Sequence, residues 1–95
     1  MSELAPFFPG EFIEEEMAHR GWDVTRLAVE MSERGATLEE VQVTVLALEL
    51  YLAVREPGLL LDHKMIAGLS RAFGTSQLIW KRLENQWQAH GMVTR

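Results

Sequence analysis

There is no cysteine among the 95 residues, so the chain can form no disulfide and presents no thiolate for catalysis or metal binding. That absence suits a reducing compartment, and a cytoplasmic location is the expectation. Also missing is any uninterrupted run of about 18 apolar residues, the length a helix needs to cross a bilayer, so no membrane role is expected. The opening "MSELAPFFPGEFIEEEM" has no basic start and turns acidic at once, unlike a secretory leader. Bases are scarce: nine Lys and Arg against fourteen Asp and Glu leave a formal net charge of −5. Affinity for nucleic acid rests on neutralising phosphates, so the balance argues against general binding, although a local basic patch can survive on an acidic protein. The same balance suits a basic protein partner. The three histidines, His19, His63 and His90, lie far apart, with no i, i+4 pair or suitably spaced carboxylate for metal capture. There is no phosphate-cradling glycine loop and no serine in a nucleophile-like turn. No catalytic residue, metal, cofactor or small-molecule ligand is expected, and the reading is not of an enzyme.

What is present is ordinary globular material, 47% hydrophobic and 24% charged, in a length that fits one small domain. Such a domain is only marginally served by its own core, and a second subunit would help to complete it.

Glycine and proline punctuate the chain, and between those marks the apolar period is helical. Pro9-Gly10 opens a first helix with Phe12, Ile13 and Met17 on one face, ending at Gly21. Asp23 caps a second, with Leu27, Ala28 and Met31 inward and Gly35 as its stop. Thr37 caps a third, where "TLEE" supplies a capping box through Glu40, and Pro57-Gly58 ends it. Asp62 caps a fourth with Ile66, Leu69 and Phe73 buried, closing at Gly74. Ser76 starts a fifth with Ile79, Trp80, Leu83 and Trp87 spaced for one face. The expected organisation is an arm over 1–8, a single all-α domain over 9–90 and a frayed tail over 91–95.

Two stretches resemble a known family. "FFPGEFIEEEMAHRGWDVTRLA" is similar to the opening of the HigA-type antitoxins, a branch of the XRE (Cro/repressor-like) helix-turn-helix family. Pro9-Gly10-Glu11, Glu15-Glu16, Arg20-Gly21 and Leu27-Ala28 fill the places of that family's motif, with Phe8 where a histidine is usual. "LSRAFGTSQLIWKRLENQWQ", from Leu69 to Trp80 and Leu83, resembles its fourth and fifth helices. The resemblance implies a five-helix lambda-repressor-like helix-turn-helix domain. It also implies a homodimer that binds a basic toxin of the RelE-like RNase class and represses its own operon. The middle of the chain departs from the family. Ser32 stands where a small residue, often glycine, usually makes the turn into recognition, so the second helix is expected to run on nearly to Gly35. The third helix is expected to reach about Arg55, well beyond the family's short recognition helix.

That third segment, Thr37 to Gly58, carries four acids and one base and is apolar all round. At 100° per residue, Val41, Val45, Leu48 and Leu52 stack on a face assigned to the domain's own core. The opposite face carries Val43, Leu46, Leu50 and Val54, with Gln42 and Glu49 on one flank and Glu40, Thr44 and Tyr51 on the other. Two apolar stripes imply cover from both sides. Either a partner chain covers the second, through Val43, Leu46, Leu50, Val54 and Tyr51, or the other four helices wrap round a central one. For operator DNA the candidate contacts are Thr37, Gln42 and Thr44 at the helix start, with Arg26 and Arg34 toward phosphates. Glu39 and Glu40 beside them suit the helix dipole but repel a backbone of phosphates. A second reading therefore stands beside the antitoxin: a degenerate helix-turn-helix scaffold, phage- or mobile-element-borne, that serves only as an interaction module or inhibitor.

Overall fold

The computed structural model of the chain describes residues 8–55 and 61–93. Within them are five α-helices and no strand: α1 (Pro9–Arg20), α2 (Val24–Met31), α3 (Leu38–Ala53), α4 (His63–Phe73) and α5 (Gln77–Val93). The all-α, five-helix architecture expected from the sequence is the one observed.

The helix starts follow from local chemistry. Asp23 accepts from the backbone N–H of Arg26 at 2.8 Å, and Asp62 from that of Met65 at 2.9 Å. Thr37 and Glu40 form the reciprocal capping box at 3.1 and 2.9 Å. Gly21 and Gly74 end α1 and α4 in the left-handed conformation.

Two boundaries differ from the sequence expectation. α2 stops at Met31, because Ser32 turns extended and its hydroxyl donates back to the carbonyl of Ala28 at 2.8 Å. That bond satisfies an end-of-helix acceptor that another turn would otherwise have used. Gly35, at φ 88°, belongs instead to the six-residue connection before α3, and Arg34 lies there too, not on α2. α3 ends at Ala53, short of Arg55. The expected stop at Pro57-Gly58 lies outside the described residues. At the other end α5 continues through Gly91 to Val93, where the sequence places the start of a tail.

The core is built where α1, α2, α3, α4 and α5 converge. Ile13, Leu27, Ala28, Leu48, Leu69 and Trp80 are fully buried within it. α2 lies between α3 and α4 and packs on both. Its approach to α4 depends on Gly68, where an added Cβ would stand 2.9 Å from Met31 Cβ and 3.2 Å from the Met31 carbonyl oxygen. One turn along, Arg71 donates to that same carbonyl at 2.6 Å. The C-terminus of α2 is thus seated and capped by α4.

Phe8 is corrected from arm to core. It is buried, its ring stacks on Tyr51 at 5.3 Å and meets Trp87 at the same distance. The ring also folds over Gly10, where it occupies the space a Cβ would need. Arg55 lies over its outer side, 4.9 Å from the centroid, and pairs with Glu11 and Glu14 of α1. Those two ion pairs are half-exposed and contribute little individually. Their geometric effect is to tie the end of α3 to α1.

Candidate functional site

α3 has sixteen residues and is about 24 Å long. Its inner face is the expected one: Leu48 is fully buried, and Val41, Val45 and Leu52 pack against the core half-buried. Its outer face is bare. Val43 and Leu46 are each 65% exposed and Leu50 55%; Val54, expected on the same helical face, is instead the extended residue that caps the end of α3, and is 37% exposed. Val43 borders a groove shared with α4 and Leu46 one shared with Thr25 of α2, but both keep most of their surface in water. Each such side chain is worth about 1.5–3 kcal/mol when fully covered, so the portion still in water is a substantial driving force for association. Glu39, exposed, continues the stripe toward the helix start, and Glu49, also exposed, lies on its flank. The rim is therefore acidic. Leu38, 72% exposed, stands on the same flank as Glu49, beside a groove that it shares with Thr25 and Gln42.

Tyr51 does not belong to this surface, contrary to the sequence expectation. It follows Leu48 by three residues and precedes Leu52, at the boundary between the two sides of the helix, and its contacts with Phe8 and Glu84 turn it inward. It is only 2% exposed, and its hydroxyl donates to Glu84 of α5 at 3.0 Å. Burial first, then the nearby Glu84 charge and the hydrogen bond to it, hold the Tyr51 hydroxyl well above the usual tyrosine range.

Glu84 itself escaped the sequence reading. Its carboxylate is 6% exposed and also accepts from the backbone N–H of Leu61 at 3.2 Å and from Gln88 at 3.0 Å. The signal was positional: residue 84 lies between Trp80 and Trp87 on the buried side of α5, but an acid there reads as solvated. Ile79 is the converse case. Assigned to the buried face, it is 43% exposed beside Leu78, and Trp80, Leu83, Glu84 and Trp87 form the inner side instead.

The five residues named for DNA are only partly brought together. Arg34, Thr37 and Thr44 line one open groove between the α2–α3 connection, α3 and the start of α4. Gln42 faces the α2–α3 groove, and Arg26 lies on α2, paired with Glu30 at 2.8 Å and resting over Trp22. Lys64 and Arg71 join the first groove, so three bases converge there, but Glu33, Glu39, Glu40 and Asp62 line it too. The polar groups are also committed: Thr37 to its cap, Thr44 to the carbonyl of Glu40 at 3.1 Å, and Arg71 to Met31. A groove with four acids against three bases is a poor phosphate channel.

Among the described residues no cluster of His, Asp and Glu could hold a metal ion, and no helix is long and apolar enough to cross a membrane. Comparison with protein-family models, with curated proteins and with solved structures finds no match to this chain.

Proposed function

We propose that this chain is a HigA-like antitoxin-type protein. It acts as a dimer on an XRE-like helix-turn-helix scaffold, binds a basic RelE-like toxin and represses its own operon. The observation that carries the protein-binding part is the bare Val43–Leu46–Leu50 stripe with its acidic rim at Glu39 and Glu49. An apolar centre favours stable contact, and an acidic margin favours encounter with a basic partner. The scaffold part rests on the sequence resemblance over α1, α2, α4 and α5 and on the five-helix architecture, which is compatible with it.

A second reading is the interaction module or inhibitor that binds no DNA. What favours it is the electrostatics at the start of α3. Glu39 and Glu40 flank the positions a recognition helix would use, and the Thr37 and Thr44 hydroxyls are already bonded to α3's own backbone.

One experiment separates them. The purified protein is tested at low salt for retardation of the DNA upstream of its own reading frame, and for co-purification with a basic RNase-like protein encoded beside it. A repressor retards its upstream DNA, and Gln42→Ala weakens that without disturbing the dimer. Retention of the toxin with no retardation leaves the interaction module. Neither retardation nor capture removes the antitoxin reading.

A further inference from the structure

No further inference is drawn: the strongest candidate, the exposed apolar face of α3 around Val43, Leu46 and Leu50, is the surface on which the proposed function already rests, and nothing in the structure shows what covers it.

Discussion

The hydroxyl of Tyr51 on α3 and the carboxylate of Glu84 on α5 meet at 3.0 Å inside the core, thirty-three residues apart in the chain. Glu84 also takes the backbone N–H of Leu61, just before α4, so one buried acid joins three segments. Tyr51 is the chain's one tyrosine, which makes it its own reporter.

Tyrosinate absorbance near 295 nm should therefore stay flat in the folded protein through pH 10, where a free tyrosine is half ionised. The sign follows from linkage. The folded state holds this proton more tightly than the unfolded state, so the stabilisation is fully present below about pH 10 and declines as pH rises above it. Tyr51→Phe should abolish that alkaline decline. A normal titration midpoint in the native protein would show that the hydroxyl is not held as described.

Glu84→Ala should cost about 2–4 kcal/mol in denaturant unfolding, because the Tyr51 hydroxyl and the Leu61 N–H both lose their acceptor in a buried site. Tyr51→Phe removes one donor and leaves the carboxylate two others, so its cost should be smaller. Equal losses would mean that the Leu61 contact contributes nothing.

Gly68→Ala gains about 1 kcal/mol of helix propensity but places a methyl 2.9 Å from Met31 Cβ and 3.2 Å from its carbonyl oxygen. The Cβ and the backbone cannot swing aside as a side-chain tip would. Overpacking of this kind costs about 1–3 kcal/mol, so the net change in melting temperature should be downward. A rise would show that α2 and α4 have room to part.

Thr37→Ala should lower stability by about 1 kcal/mol by removing the α3 cap, whereas Thr37→Ser, which keeps the oxygen, should be close to neutral. Thermal unfolding distinguishes the two. If Thr37→Ala is silent, the cap is not what fixes the start of α3.

Much of this architecture was legible along the chain. Asp23, Thr37 and Asp62 announce helix starts because a short acceptor side chain ahead of an apolar period satisfies backbone donors that nothing else reaches. The inner stripe of α3, with Leu48 at its centre, followed from the period alone, and so did the outer one. What was misread has a common cause. Ser32 ends α2 through a bond to Ala28, a local event that competes with a glycine three residues later as the evident stop. Tyr51 and Ile79 sit near the boundary between buried and exposed sides, where the period does not decide, whereas Glu84 lies on the side of α5 that the period marks as buried. In all three, residue type misled: an acid reads as solvated, an isoleucine as buried, and a tyrosine beside an acidic rim as part of a surface.

The sequence by itself determined that this chain is helical, where its five helices begin, and that α3 has two apolar sides. Those properties come from interactions within a turn or two of the backbone, and the order of residues encodes them directly. Only the tertiary structure decided which of those sides is covered. It also placed an acid in the core and set the end of α2 against Gly68 and Arg71. Such choices depend on groups distant in sequence meeting at a few ångströms, where the helical period of any one segment carries no information about its neighbour.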